Sequence, residues 1–188
     1  MSRSIWCALL MIALVAPAQA QNGREYFTSP DTALDAEHAP QQQAFILLRD
    51  STSSISAAGA KLMSDMSPSS SLAWMQARAR AVVTACARSE GPLANALMVT
   101  KQGVWPNAAQ QKAQADLLKE MTAFAGDLTD CQKRWTALAA DTSNVSFREN
   151  APYQMKQLQD KLDALNRTSQ TYLRYIGVKL PPKGQKPS

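Results

Sequence analysis

The sequence predicts an all-α protein, an antiparallel four-helix bundle with one interhelical disulfide. Four segments carry apolar residues at spacings that alternate between three and four, so each predicted helix has one narrow apolar stripe. Strand signals are nearly absent, because β-branched and aromatic residues never cluster in alternation with polar ones. Two cysteines, Cys86 and Cys131, lie on two of the stripes. Stripes with this spacing are typical of helices packed almost parallel in a bundle.

The first 20 residues are organised like a secretory signal peptide. Arg3 supplies a positive charge, residues 5–15 form an apolar run, and Ala18-Gln19-Ala20 is a small-x-small cleavage motif. The run is shorter than the roughly 20 apolar residues that cross a membrane. We therefore expect export, cleavage after Ala20 and a mature chain that begins at Gln21. The protein would be periplasmic or secreted, without stable membrane insertion.

The segment between the signal peptide and the bundle, residues 21–39, is expected to be loosely structured. Within it, Ser29-Pro30-Asp31 is a suitable start for a short helix that ends before Pro40. The bundle itself is expected to span 40–177, and its first helix carries the first stripe. The members of this stripe are Phe45, Leu48, Thr52, Ile55, Gly59, Leu62 and Met66.

The second helix is expected to follow a serine-rich loop at 67–71, with Ser70 or Ser71 as its N-cap. Gly91-Pro92 should break or kink this helix, yet apolar spacing resumes beyond the proline. We predict a long second helix that bends there and reaches about Gln102. A turn at 103–107 follows, with Pro106 near the start of the third helix. The second stripe consists of Leu72, Met75, Ala79, Val82 and Cys86.

The third helix carries the second cysteine of the mature chain. Of the three cysteines, Cys7 lies in the predicted signal peptide, so the mature chain has two. An even number in an exported chain indicates a disulfide, and two cysteines allow one pairing, Cys86 with Cys131. The alternative is a pair of buried free thiols. In the chain-entropy model, closing a loop of about 45 residues contributes about 4 kcal/mol. The third stripe consists of Leu117, Met121, Phe124, Leu128, Cys131, Trp135 and Leu138.

The fourth helix is expected to begin after residues 141–144, with Ser146 and Glu149 forming a capping box. Gly177 is a natural stop. Residues 178–188 combine prolines and lysines with little to bury, so we expect a disordered basic tail. Short loops make successive helices antiparallel neighbours. The fourth stripe consists of Met155, Leu158, Leu162, Leu165, Ser169, Tyr172 and Ile176.

The charge distribution argues against a nucleic-acid partner. The chain has 20 lysines and arginines against 15 acids, a formal net charge of +5. Because the predicted signal peptide contains one of the basic residues and no acid, the mature chain would carry about +4. Its basic residues are scattered among acids, whereas a nucleic-acid binder usually gathers them on one face.

No catalytic or metal-binding constellation is recognisable. The single histidine, His38, precedes the bundle, and we interpret it as a surface residue. The sequence lacks the haem attachment motif C-x-x-C-H, the Glu-x-x-His motif of di-metal bundles and phosphate-binding glycine loops. Methionines on the stripes are ordinary core residues, and the acids fall mostly off the stripes. We therefore predict no enzyme activity, no metal and no cofactor.

Aromatic residues off the stripes are candidates for an interface, because aromatic side chains are favoured interface anchors. The alternative is that they cover the ends and flanks of the bundle. Small or polar residues on the stripes predict a thinly filled middle, either closely packed helices, which we favour, or a small ligand cavity. The interface candidates are Trp74, Trp105, Tyr153 and Tyr175, and the small or polar positions are Thr52, Gly59, Ala79 and Ser169.

Fold alone does not determine function in a bundle. We expect a non-enzymatic exported protein that binds another protein in the bacterial envelope, as an adaptor, a secretion-system component, an inhibitor or an immunity-type partner. The alternative is a periplasmic bundle that binds a small ligand or haem. The sequence leaves the partner and the oligomeric state open.

Overall fold

The computed structural model describes residues 38–181, and helices account for 85% of them. The predicted all-α bundle and its four helices are confirmed. They are α1 (Ala39–Asp65), α2 (Leu72–Gln102), α3 (Ala108–Ala140) and α4 (Asn144–Tyr175). The predicted signal peptide, the segment 21–37 and residues 182–188 lie outside the described residues.

The core consists of the predicted stripes. The stripes of α3 and α4 are buried throughout. On the stripes of the first two helices, Thr52, Met66 and Leu72 are partly exposed. The largest side chains with less than 2% exposure include Trp135, Tyr172, Phe45, Phe124 and Phe147. Between residues 38 and 181, no helix has both the length and the apolar character needed to cross a membrane.

Hydrogen bonds at both ends of the bundle fix the antiparallel order. At the tail end, where α1 begins and α4 ends, the Gln110 amide donates to the Tyr175 carbonyl at 3.0 Å. At the opposite loop end, the Gln76 amide donates to the Asp141 carbonyl at 2.7 Å. There the Arg148 guanidinium also donates to the carbonyl of Ser67 at 2.6 Å. At the loop end these bonds tie α2 to the third loop and α4 to the first loop, and at the tail end they tie the start of α3 to the end of α4.

The second helix continues through Pro92 without interruption, so its predicted length is confirmed; the bend at Gly91-Pro92 stays a prediction. Proline lacks the N–H that would bond to the carbonyl four residues earlier, a loss that the packing of a long helix can absorb. The predicted disulfide is present between Cys86 and Cys131, whose Cα atoms are 6.5 Å apart. It joins α2 to α3 within the core.

One of the predicted helix starts needs correction. The capping box at Ser146 is wrong, because the N-cap of α4 is Ser143, whose hydroxyl accepts from the Ser146 N–H at 3.2 Å. The Ser146 hydroxyl instead donates to Asp141 at 2.7 Å, and hydrogen bonds from Ser143 and Ser146 lower the pKa of that carboxyl. Pro106 precedes the N-cap of α3, Asn107, which accepts from two backbone N–H groups. The predicted cap at Ser71 is confirmed.

The start of the expected disordered tail is packed against α1, which corrects that expectation for residues 178–181. Val178 is buried, and its backbone N–H donates to the Leu173 carbonyl at 2.9 Å. The Gln42 amide donates to the Lys179 carbonyl at 2.8 Å, and the Arg49 guanidinium donates to the Pro181 carbonyl. The composition of the tail did not predict this arrangement. The side chains of α1 bond to backbone carbonyl groups of the tail, and every residue has such a group whatever its side chain.

Candidate binding groove between the first and last helices

The bundle is open on one side, because α1 and α4 pack against each other less extensively than the other neighbouring helices do. The groove between them contains two hollows. The upper hollow, near the tail end, has a volume of about 470 Å³, and the lower hollow, towards the loop end, about 340 Å³. Small-molecule sites usually have volumes of about 300–1,000 Å³. The groove is therefore the candidate functional site.

The floor of the upper hollow is apolar and comes from both helices. Its members are at most 5% exposed: Phe45, Leu48, Leu162, Leu165 and Leu173. Thr52 of α1 and Ser169 of α4 also line the hollow. Both are stripe positions, and their short side chains leave space where two leucines would meet. The hollow therefore forms where two stripe positions carry small polar residues in place of the large apolar residues found elsewhere on the stripes.

The rim of the upper hollow is cationic. Arg49, Arg174 and Lys179 line it, and none of the described residues around it is an acid. Arg49 pairs with Asp50, with 3.0 Å between Nε and the carboxylate, but Asp50 lies outside the lining. Within residues 38–181, Arg174 and Lys179 form no ion pair. The mouth therefore presents positive charge beside an apolar floor.

Ser169 brings a polar group into this apolar setting. The residue is 8% exposed, and its hydroxyl has no hydrogen-bond partner in the described part of the chain. Serine in a helix often donates to the carbonyl four residues earlier, as Ser89 does to Ala85 at 3.0 Å. An unpaired buried hydroxyl costs free energy unless a ligand or water satisfies it.

Residues 178–181 form the end wall of the upper hollow. Val178, Leu180 and Pro181 line it, and the bonds from Gln42 and Arg49 hold this segment against α1. The wall closes the hollow at the tail end, so the opening faces sideways along the groove.

The lower hollow is shallower and of mixed polarity. Ala60 and Met63 of α1 face Pro152 and Met155 of α4 across it. Met155 also contacts Gly59, which lies between Ser56 and Ala60, two α1 residues that line this same hollow. For the thinly filled middle, we favoured close packing over a cavity. Close packing is found at Gly59 and at the fully buried Ala79. Thr52 and Ser169 instead line the upper hollow.

The four aromatic interface candidates do not form one surface. Tyr175 and Trp105 lie at the tail end, whereas Trp74 is in the first turn of α2, at the loop end. Tyr153 and Tyr175 are 60% and 50% exposed, while Trp74 is half-buried with the Arg78 guanidinium 5.2 Å above its ring. None of the four lines either hollow.

Trp105 belongs to an aromatic cluster that closes the tail end. Its ring stacks on His38 at 5.9 Å and meets Tyr172 edge-on at 6.1 Å. His38 is therefore part of this cluster, which corrects its interpretation as a plain surface residue. The Tyr172 hydroxyl and the Trp105 indole N–H have no hydrogen-bond partner of good geometry among residues 38–181. Burial raises the pKa of Tyr172 to about 12, and the Trp105 N–H opposes the increase.

A cleft between α3 and α4 collects the most titratable groups. Asp127, Asp130 and Asp160 line it together with Arg134 and Lys161. The Lys161 ammonium lies 3.6 Å from the Asp127 carboxylate, and Arg134 lies 3.9 Å from Asp130. Two of the three carboxylates are thus engaged in exposed ion pairs. No group of three or more potential metal ligands occurs in the described part of the chain.

The upper hollow contains functional candidates that the sequence analysis did not select. Arg49 and Arg174 lie off the stripes, and Lys179 lies in the expected tail. The available signal for this hollow was the pair of polar stripe positions, Thr52 on α1 and Ser169 on α4. Helix packing decides that both of them line the same hollow. Comparisons of the chain with protein-family models, curated proteins and solved structures find no match to any of them.

Proposed function

We propose that this protein is an exported, non-enzymatic binding protein of the bacterial envelope that holds a helix of another protein in the groove between α1 and α4. The roles we propose for such a protein are those of an adaptor, a secretion-system component, an inhibitor or an immunity-type partner. The predicted signal peptide supports export, and the disulfide is suited to an oxidising compartment.

The open apolar groove is the observation that carries this proposal. From Arg49 to Met63, its α1 wall contains 15 residues and rises about 21 Å. A partner helix of about four turns has this length, and its apolar residues at helical spacing would enter the two hollows in turn. The cationic rim favours a partner with acidic residues at the end that lies over the upper hollow.

Site-specific cross-linking in the native envelope tests this function. A photoreactive residue at Gln159, which lines the lower hollow, should capture the same partner as one at Met63 across the groove. A photoreactive residue at the exposed Lys133 of α3 should not capture it. Equal capture from all three positions, or none from the groove, would contradict the proposal.

A matched pair of substitutions separates groove binding from general effects. Ala60→Glu places a charge in the lower hollow and should reduce cross-linking at Gln159 at least tenfold. Ala125→Glu makes the same change on an exposed position of α3 outside the groove and should leave the yield unchanged. Both variants should keep the helical circular dichroism spectrum of the parent chain.

Binding of a small ligand is a second candidate function, favoured by the size and end wall of the upper hollow. Haem is a poor fit there, because haem iron needs an axial ligand such as His, Cys, Met or Tyr. None of the described residues lining the upper hollow is of these types. A co-purified small molecule in native mass spectrometry would support this candidate, and a Soret band would point to haem.

A further inference from the structure

We propose that the upper hollow binds a monomeric anionic amphiphile, a single alkyl chain that ends in a carboxylate. This inference rests on the small-ligand candidate; the ligand would occupy the same upper hollow that the partner helix would otherwise enter. Its basis is the combination of a buried apolar floor, a cationic rim without acids and a buried hydroxyl that lacks a partner.

The apolar floor sets the alkyl part of the ligand. Five side chains that are at most 5% exposed line a volume of about 470 Å³: Phe45, Leu48, Leu162, Leu165 and Leu173. A flexible chain fits a hollow whose walls are leucine side chains. Burial of each methylene is worth about 0.8 kcal/mol, which corresponds to about fourfold in affinity. A binding constant that rises by this factor for each added methylene is thus the expected signature of the floor.

The rim sets the charge of the head group. Arg49 contacts the tail through Pro181, Lys179 belongs to the tail, and Arg174 lies just before it, so all three cations gather at the tail end. A guanidinium has five N–H donors, and Arg49 uses one on Asp50 and another on Pro181. The remaining donors can hold a carboxylate in the forked geometry that arginine favours. Among residues 38–181, no acid lines the hollow to repel it.

Ser169 gives the hollow a polar group that the fold itself does not use. Its hydroxyl lies among the lining residues, without a partner in the described chain. It is one turn from Leu165 and one turn from Leu173 on α4, so it lies within the apolar floor, on the same helix as the rim residue Arg174. A carboxylate oxygen or its bound water can accept from this hydroxyl, which offsets the cost of burying it.

Titration calorimetry with sodium laurate, below the concentration at which it forms micelles, tests the inference on the full chain. One laurate should bind per protein, and decanoate should bind about 15-fold more weakly, since it has two fewer methylenes. Monolaurin has the same chain without the charge and should bind at least fivefold more weakly than laurate. Binding to phosphatidylglycerol vesicles in place of monomeric laurate would overturn the assignment to a single chain.

Two arginines of α4 provide a matched charge test. Arg174→Glu reverses a rim charge and should weaken laurate binding at least fivefold, with monolaurin unaffected. Arg167→Glu makes the same change on an exposed α4 residue outside the hollow and should leave laurate binding within twofold. Equal losses from both variants would show general electrostatic attraction and would overturn the proposed site.

The outcomes distinguish this inference from the functions on which it depends. If monolaurin binds as tightly as laurate, the anionic assignment is wrong while the small-ligand function stands. If neither binds at 1 mM, the alkyl-chain assignment is wrong, while native mass spectrometry still decides the small-ligand candidate and cross-linking decides the partner helix. Ser169→Leu fills the hollow and should abolish binding of both probes; a folded Ser169→Leu variant that binds laurate as the parent does would place the ligand elsewhere.

Discussion

The thioether of Met155 occupies the space beside Gly59, where a β-carbon would lie 2.0 Å from its Sδ atom and 2.6 Å from its Cε atom. This contact joins α1 to α4 at the lower hollow, which Met155 lines together with Ser56 and Ala60 on either side of Gly59. It is possible because glycine leaves the backbone of α1 uncovered there.

Gly59→Ala tests this contact through its dependence on Met155. Alanine is about 1 kcal/mol more favourable than glycine inside a helix. In the parent chain, Met155 must move aside into the lower hollow, which offsets the gain. In a Met155→Ala background, the full gain should appear, so urea unfolding of the four variants should give a coupling free energy of at least about 0.5 kcal/mol. Additive effects within about 0.3 kcal/mol would show that the two residues do not compete for space.

The disulfide should stabilise the bundle without being needed for its helices. In the chain-entropy model, its 45-residue separation is worth about 4 kcal/mol. Reduction should therefore lower the free energy of unfolding by a few kcal/mol, while the helical circular dichroism signal at neutral pH persists. The double variant Cys86→Ala/Cys131→Ala is the control, because its unfolding should not respond to reductant. An unfolding midpoint that reductant leaves unchanged in the parent chain would contradict this expectation.

Tyr172 should make the protein sensitive to alkaline pH. Because its folded-state pKa is about 12 and the ordinary value is 10.0, the native state holds the phenol proton more tightly than the unfolded chain does. The resulting stabilisation is complete below pH 10 and is lost as the pH rises towards 12. Tyr172→Phe cannot ionise, so its free energy of unfolding should fall less over this range.

At neutral pH the same substitution should change stability by less than about 1 kcal/mol, because no residue in the described part of the chain forms a hydrogen bond of good geometry with the Tyr172 hydroxyl. Absorbance titration at 295 nm provides the second measurement. The parent chain should show one tyrosine that ionises late, and this transition should be missing from Tyr172→Phe. A late transition that survives the substitution would assign the raised pKa to another residue.

Export should remove the first 20 residues. When the full chain is expressed in a bacterium, mass spectrometry of the periplasmic fraction should find a protein that begins at Gln21. Ala18→Arg destroys the small-x-small motif and should leave the longer precursor in the cell, because signal peptidase accepts only small residues there. Gln19→Arg changes the tolerant middle position and should be processed normally. Normal cleavage of both variants would refute the assigned cleavage site.

Much of the fold was predictable because it depends on local periodicity. A residue such as Leu128 or Leu162 is buried because its helical neighbours three and four positions away are also apolar, and this information is contained in a short stretch of sequence. The pairing of Cys86 with Cys131 was predictable because two cysteines have one possible partner each. The cap of α4 was mistaken because Ser143 and Ser146 are equally good caps, and the choice depends on where α3 ends.

The candidate groove was only partly predictable. The polar stripe positions Thr52 and Ser169 indicated a thin middle, but a pattern within one helix does not say which residues of another helix face it. Whether such a position becomes a close contact, as at Gly59, or a hollow depends on the long side chains across the groove and on the tail that closes its end.

The amino-acid sequence alone determined the four helices, their buried sides and the disulfide, since these follow from spacing along the chain and from the number of cysteines. The tertiary structure alone decided that α1 and α4 leave an open side. It also decided that Arg49, Arg174 and Lys179 meet around one hollow. Arg49 is far from the other two in the chain, and none of the three lies on a stripe. Only the packing of the helices and the course of the tail therefore bring their charges together.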